Sequence, residues 1–349
     1  MEPKNCRTWL PPEWAPQSGV MLTWPHAHGD WADNLAATEA VFVALARHIA
    51  ARELVLISCY DASHRKHVDA LLRAAGIDPD RIRLHVVPSN DSWARDHGPL
   101  TVICSGEPVL LDFRFNGWGG KYPADLDNQI TPALYRAGAF GDTPLETVDL
   151  IVEGGGIEVD GSGTLLATKS CLITDTRNPG VDQATMEQKL GELLGLNRFL
   201  WLEHGWLAGD DTDGHIDTLA RFCGRDTIAY VSCDDATDEH HEVLRAMKAE
   251  LESFRSVTGD PYRLVALPLP QARRNSEGKR LPATYANFLI INGAVLVPTY
   301  DDPADAIALA RLAACFPGRE IVAIDALPVI RQYGSLHCVT MQLPQDVIR

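Results

Sequence analysis

Apolar positions along this chain follow two alternating periods. Residues 34–51 carry Leu35, Val41, Phe42, Leu45 and Ile49 at helical spacing, which predicts an amphipathic helix. Leu54-Val55-Leu56-Ile57-Ser58-Cys59-Tyr60 is a nearly continuous apolar run, the mark of a buried strand. Residues 63–75 return to the helical period, and Gly76 supplies the stop. Earlier, Met21-Leu22-Thr23-Trp24 is a short strand ended by Pro25, behind an irregular aromatic segment from Trp9 to Trp14. Further along, Asn292-Gly293 between apolar runs is a hairpin signal, and the polar, basic residues 271–282 form a surface loop.

The strand–turn–helix unit recurs. Residues 54–63 resemble residues 228–237, sharing Ser-Cys-x-Asp-Ala-Ser/Thr ahead of a helix. Looser copies start at Ala294, leading into a helix over 304–315, and at Leu165, leading into a helix over 182–194; a degenerate one starts at Val109. Five units of about seventy residues would fill the chain. No linker divides it, so residues 1–349 read as one compact α/β domain of repeated ββαβ-like modules, with functional loops converging on one face.

The net charge of -16 argues against a nucleic-acid partner and suits a small cation. The eight cysteines show no CxxC and no zinc spacing, and read as reduced core thiols. The N-terminal residues lack a signal-type apolar region, and the longest apolar run, 288–297, is interrupted by Asn292-Gly293. These features predict a soluble, cytoplasmic protein with no membrane span. A homodimer or a higher homo-oligomer is compatible with the chain.

Chemistry gathers in a few loops. Trp93-Ala94-Arg95-Asp96-His97-Gly98-Pro99 holds a carboxylate in a turn-rich segment, where its plain alternative is pairing with Arg95. Phe115-Asn116-Gly117-Trp118-Gly119-Gly120 offers an indole wall for a cation, or a simple turn over the core. It has no phosphate-loop Lys-Ser/Thr. Glu153 precedes three glycines that let the backbone crowd a ligand. In Gly209-Asp210-Asp211-Thr212-Asp213-Gly214-His215-Ile216-Asp217, His215 and Asp217 would share one face of a strand. That loop lacks EF-hand spacing, so no metal is expected. His26, His28, His240 and His241 read as solvent or core histidines. Cys338 lies between a small-residue turn and Val339-Thr340, the setting of a nucleophile at a strand edge; a buried core thiol is the bland reading. His337 would point to the opposite face. One thiol, one histidine and the carboxylates of Asp96, Glu153 and Asp217 make sense together around a cation. A planar, permanently charged guanidinium matches paired carboxylates.

These motifs, with Leu281-Pro282-Ala283-Thr284-Tyr285-Ala286-Asn287-Phe288 and His337-Cys338-Val339-Thr340, resemble the agmatine deiminase family of the guanidino-modifying pentein superfamily. They follow the family's order over nearly the whole chain. The resemblance implies a five-bladed α/β propeller of ββαβ modules and no cofactor. It implies that Cys338 is the nucleophile and His215 the acid/base. Asp96 and Asp217 would hold the guanidinium with Glu153 assisting, and Asp211 would contact the substrate. Trp93 and Trp118 are added as pocket walls. The family commonly has adjacent glycines before the His-Cys pair; this chain has Tyr333-Gly334-Ser335-Leu336, a departure that bears on substrate preference. Arginine or peptidyl arginine stays open as substrate. So does a non-catalytic binding protein on the same propeller, although that would not need the thiol, histidine and carboxylates together.

Overall fold

The computed structural model describes residues 8–349. Its strands form five small sheets, and four follow one plan: an antiparallel pair, a helix, then a third strand parallel to the second. In the first, Leu100–Cys104 pairs with Glu107–Arg114, and Leu145–Ile151 returns beside it after the helix Ile130–Arg136. The second uses Glu158–Val159, Thr164–Thr168, the helix Gln183–Leu194 and Arg198–Leu202. The third uses Ala220–Gly224, Thr227–Ser232, the helix His241–Ser253 and Arg263–Pro268. The fourth uses Leu289–Ile291, Ala294–Thr299, the helix Asp305–Cys315 and Glu320–Asp325. The fifth is assembled from both ends of the chain. Thr340–Pro344 pairs antiparallel with Gln17–Thr23, which is followed by the helix Leu35–Ala50 and the parallel strand Leu54–Cys59. A further helix, Ala62–Ala74, leads to an added strand, Ile82–Val86. This is the expected five-bladed α/β ring.

Local sequence accounts for the elements. The helix Leu35–Ala50 turns Val41, Phe42, Leu45 and Ile49 inward against Val55, Ile57 and Trp24 in one core cluster, each such burial being worth about 1.5–3 kcal/mol. Asp61 caps the following helix by accepting from the His64 amide at 2.7 Å. Gly76, at φ +71°, ends it. The Asn292-Gly293 turn joins two antiparallel strands as predicted, with Gly293 at φ +73°.

Two expectations need correction. The clearest internal match, 54–63 with 228–237, joins strands at different places in their blades. Thr227–Ser232 is a second strand, whereas Leu54–Cys59 is a third; the second-strand place there belongs to Gln17–Thr23. The shared aspartate is local turn chemistry: Asp235 accepts from the Thr237 amide at 2.9 Å, much as Asp61 accepts from that of His64. The cysteines, in turn, are not uniformly reduced. Cys59, Cys171, Cys223, Cys233, Cys315 and Cys338 are free thiols, but Cys104 is disulfide-bonded. Cys104 ends a strand whose outer edge pairs with Thr8–Trp9, a neighbour that cysteine spacing does not reveal. Cys6 lies outside the described residues. The argument from cysteine usage to a reducing compartment therefore loses its support. Among the described residues no helix is long and apolar enough to cross a membrane.

Candidate active site

Each blade presents its chemistry in the turn immediately before its first strand. Asp96 precedes Leu100–Cys104, Glu153 precedes Glu158–Val159, and His215 and Asp217 precede Ala220–Gly224. Asn287 precedes Leu289–Ile291, and Cys338 precedes Thr340–Pro344. Five equivalent turns around a closed ring must meet near its centre. Three of them are short helical turns, Ala94–His97, Gly154–Gly156 and Ile216–Thr218, and these pack on one another.

Gly155 is where they touch. Its amide donates to Asp96 Oδ1 at 3.0 Å. A β-carbon there would lie 2.5 Å from His215 Nδ1, 3.0 Å from Asp96 Oδ1 and 3.2 Å from Asp217 Oδ2. Only glycine permits this approach.

The buried His215 lies with Nε2 2.8 Å from Glu153 Oε2 and Nδ1 3.7 Å from Asp96 Oδ1. Burial opposes its charge, but Asp96, Cys171 and Glu153 outweigh that and raise its pKa well above the usual value. Nδ1 has no hydrogen-bond partner, and neither has Asp217 Oδ1. Of these two buried atoms, the Asp217 oxygen is an unmet acceptor that suits a donor-rich ligand, and the nitrogen of a charged His215 is an unmet donor. Arg177 Nε donates to both Glu153 oxygens at 2.9 Å, while its terminal nitrogens reach Asp213 Oδ2 and the Thr212 carbonyl. Against the cost of burial, His215 and Arg177 hold the Glu153 pKa down. Asp96 differs: burial is the largest influence and pushes its pKa up to about 6, with Glu153 and Asp217 adding to it and His215 opposing.

Cys338 is 5% exposed, with its Sγ 3.6 Å from Asp217 Oδ2. Asn287 Nδ2 donates to that sulfur at 3.2 Å, and Asn287 Oδ1 accepts from the His337 and Cys338 amides at 2.9 and 3.3 Å. Burial, then Asp217 and Asp96, raise the thiol pKa well above normal.

His337 is not on a strand, since pairing starts only at Thr340. It therefore does not point to an opposite strand face. It lies beneath the site, with Nδ1 2.7 Å from Asp217 Oδ2 and Nε2 2.6 Å from Glu13 Oε1. Glu13, from the irregular N-terminal segment, is also paired with Arg95 and Arg221. Arg95 is thus not Asp96's partner. His215 and Asp217 likewise occupy a short helical turn rather than a strand, so they converge by the turn's curl and not by alternation.

A cleft opens over Cys338, lined by Asp30, Asp91, Asp96, Asp210, Asp211, Trp93, Trp118, Tyr122, Tyr333 and Gly334 among others. Among the described residues no lysine or arginine lines its walls, although Lys121 reaches Asp211 at the rim, 4.0 Å from Oδ1. Trp118, held at φ +55°, donates from Nε1 to Asp96 Oδ2 at 2.9 Å. Trp93 donates to Asp91 Oδ2 at 2.8 Å. A β-carbon at Gly334 would fall 2.1 Å from the Trp93 ring, so that glycine fixes where the wall stands. Tyr333 is left-handed at φ +68°, a backbone state natural to glycine. Ser335 is anchored to the Tyr300 hydroxyl at 3.2 Å. The departure from adjacent glycines thus comes with a tied-down loop.

The whole arrangement has known counterparts. A family model described as Porphyromonas-type peptidyl-arginine deiminase matches residues 9–344. The chain belongs to this family. It is 32% identical to the agmatine deiminase of Stutzerimonas stutzeri (strain A1501), over 99% of this chain and 98% of that one. Among solved structures it is similar to a C. jejuni agmatine deiminase cysteine-to-serine variant with substrate bound, at TM-score 0.91 and 35% identity, covering 99% and 98% of the two chains. It is also similar, at TM-score 0.90 and 48% identity over 98% of this chain and 100% of the other, to a Porphyromonas gingivalis protein provisionally described as an arginine deiminase. The chain is thus a guanidino-modifying hydrolase of the deiminase type, with the pentein fold.

Within this family member, Asp211 faces the cleft and its carboxylate accepts from the Tyr122 hydroxyl. Asp210 instead organises the loop, accepting from the Thr212 and Gly214 amides at 3.1 and 2.7 Å. Asp213 pairs with Lys121 and Arg177. Glu153, Cys171 and His215 bring possible metal-ligand atoms within 4.8 Å of one another. Arg177 already occupies both Glu153 oxygens, so a dication there would face a guanidinium. Sequence reasoning gave no role to Asn287, Arg177, Glu13 or Asp91. The recurring turn before each first strand was the signal that could have found Asn287.

Proposed function

We propose that the protein hydrolyses agmatine to N-carbamoylputrescine and ammonia, a route to a polyamine precursor, through an amidino intermediate on Cys338. What supports this best is the acidic cleft over a thiol, with no lysine or arginine of the described residues on its walls. Asp96 and Asp217 receive the guanidinium N–H groups, Glu153 holds His215, and Asp211 faces the distal ammonium. The bound cation offsets the carboxylates that keep Cys338 protonated, so substrate promotes the thiolate. The sulfur attacks the guanidine carbon. His215 gives its proton to the departing nitrogen, and ammonia leaves. His215 then takes a proton from water, whose oxygen adds to the amidino carbon. Collapse expels the thiolate and releases the ureido product.

Free arginine or peptidyl arginine is the second reading, favoured by the 48% identical P. gingivalis relative. An α-carboxylate placed in this cleft would meet Asp211 and Asp91, with Lys121 at the rim already engaged by Asp213 and Asp211. Arg95 is turned away toward Glu13 and Gln342. Two unit charges ~4 Å apart interact by about 4 kcal/mol at an effective dielectric of ~20, enough to disfavour arginine several hundred-fold. Assays of ammonia and ureido release from agmatine, arginine and a peptidyl arginine test this. Agmatine should dominate, and Asp211→Asn should narrow its lead over arginine. Arginine turned over as well as agmatine would overturn the assignment. Cys338→Ala should lower turnover by on the order of 10⁶ while agmatine binding stays measurable by calorimetry; near-wild-type activity would remove Cys338 from the chemistry.

A further inference from the structure

A left-handed backbone is uncommon for residues other than glycine. Among the described residues Ser105, Trp118, Asp213, Asp301, Tyr333 and Asp346 adopt one. The aspartates are of the kind that visits this state routinely. The two aromatic residues, Trp118 at φ +55° and Tyr333 at φ +68°, both line the cleft over Cys338. A bulky side chain stays in such a state only where its surroundings over-determine it, and such strain gathers at functional sites. At Trp118 it goes with the bond to Asp96; at Tyr333 it calls for a different cause. The loop is pinned on both sides of that residue. Gln332 Nε2 donates to the Asp30 carbonyl at 2.7 Å, and the Ser335 hydroxyl lies 3.2 Å from that of Tyr300. Tyr333 is only half-buried whereas Cys338 is buried, so the tyrosine stands at the mouth of the cleft and not on its floor. Lys279 Nζ lies 4.5 Å from the centre of the tyrosine ring, a cation–π contact. Lys279 does not line the cleft, so its ammonium backs the ring from outside. It is carried on a tight hairpin, in which Arg274 pairs with Arg280 and the Asn275 amide donates to the Lys279 carbonyl at 2.9 Å.

We propose that Tyr333 is a specificity-determining residue for the far end of the substrate: its ring narrows the mouth of the cleft and admits guanidines whose other end is slender, and Lys279 is the positioning residue that holds the ring there. The inference rests on the deimination proposed above and adds to it a limit set by width. Asp211 discriminates at the distal end by charge; Tyr333 discriminates by bulk. The class favoured is a free, short-chain alkylguanidine. The class refused is a guanidine whose far end broadens, as it does where a side chain joins a polypeptide. Glycine at 333 would take the same backbone path without strain, but it would leave the mouth open. The strained tyrosine is therefore retained for its ring.

The test uses two pairs of guanidines on the full chain: agmatine with its N-benzyl derivative on the distal amine, and arginine with its Nα-benzyl derivative. Within each pair the benzylated amine stays cationic, so charge is constant and only bulk at the far end changes. The readout is the ratio of kcat/KM for the benzylated member to that for its parent, in the pair whose parent the wild type turns over faster. Tyr333→Gly should raise this ratio about tenfold or more, the size of relief expected from a steric overlap. General damage to the site would lower both members and leave the ratio alone. Tyr333→Phe keeps the ring and should keep the wild-type ratio. Lys279→Met should raise it about two- to fivefold, in line with the loss of one cation–π contact. A ratio unchanged by Tyr333→Gly would overturn the proposal, and so would a Tyr333→Phe ratio as high as that of Tyr333→Gly. A Lys279→Met ratio equal to wild type would overturn the positioning role of Lys279. Faster turnover of arginine than of agmatine would overturn the agmatine assignment instead, and the arginine pair would then decide the role of Tyr333.

Discussion

His215 and His337 are both wholly buried, each between two carboxylates, Glu153 and Asp96 around the first and Asp217 and Glu13 around the second. Their pKa values nevertheless move apart. His215 is raised because Asp96, Cys171 and Glu153 outweigh burial. His337 is lowered because burial and the guanidiniums of Arg221 and Arg95 outweigh Glu13 and Asp217. Their nitrogens differ too: His337 has both engaged, whereas His215 keeps Nδ1 unpartnered. Which charges weigh most on each ring, Asp96 on His215 and the guanidiniums of Arg221 and Arg95 on His337, separates a group that can pass a proton from one that braces a carboxylate.

That contrast can be broken experimentally. The largest effect should come from His215→Asn, which should lower kcat by about 10²–10⁴, the range for a lost general acid–base. Activity within threefold of wild type would reject the division of roles. His337→Leu should act mainly on stability. It leaves the buried Asp217 Oδ2 without its partner, costing about 1–3 kcal/mol, read from denaturant unfolding. A variant as stable as wild type but inactive would make His337 part of the chemistry instead.

Stability against pH should sharpen the comparison further. His215 binds its proton more tightly folded than unfolded, so its contribution is present below about 6.5 and fades as pH rises through the raised native value. His337 binds its proton less tightly folded, so its contribution is lost as pH falls below about 6.5. Thermal unfolding of His215→Asn should converge on wild type at high pH, and that of His337→Gln at low pH; parallel curves would refute both shifts. In the Cys338→Ala background, agmatine affinity should weaken as pH falls through about 6, where Asp96 takes up its proton. Unchanged affinity down to pH 5 would remove Asp96 from guanidinium binding. The smallest effect should come from Lys121→Met at the cleft rim. Its partner Asp213 is 37% exposed and keeps Arg177, so the loss should stay within about 1 kcal/mol.

Much of this was legible in the chain because it is local. The helix over 34–51 and the Asn292-Gly293 hairpin follow from period and turn chemistry, and the structure puts them where the pattern does. Asp96, Glu153, His215, Asp217 and Cys338 stood out as reactive residue types in glycine-rich or turn-rich loops, and the fold brings all five together. The braces behind them did not stand out. Glu13 comes from an irregular segment far from His337 in sequence, and Arg177 reads as an ordinary basic residue before Asn178-Pro179. Such partners are chosen by the closed ring, and no sequence period encodes them. His337 was misplaced because Val339-Thr340 suggested a strand beginning earlier than pairing does.

The fifth blade also orders events in time. Gln17–Thr23 is made before the other four blades, while its antiparallel neighbour Thr340–Pro344 is made after them. Until then Gln17–Thr23 has an open edge, which invites foreign strands, and the sulfur has no place beside Asn287. Contacts this distant in sequence form slowly. A ribosome that stalls before residue 338 would release a chain with the carboxylates of three blades, Asn287 of a fourth and no nucleophile. Reactivity is thereby withheld until translation has passed the other four blades, and the same strand that closes the ring brings Cys338 into position.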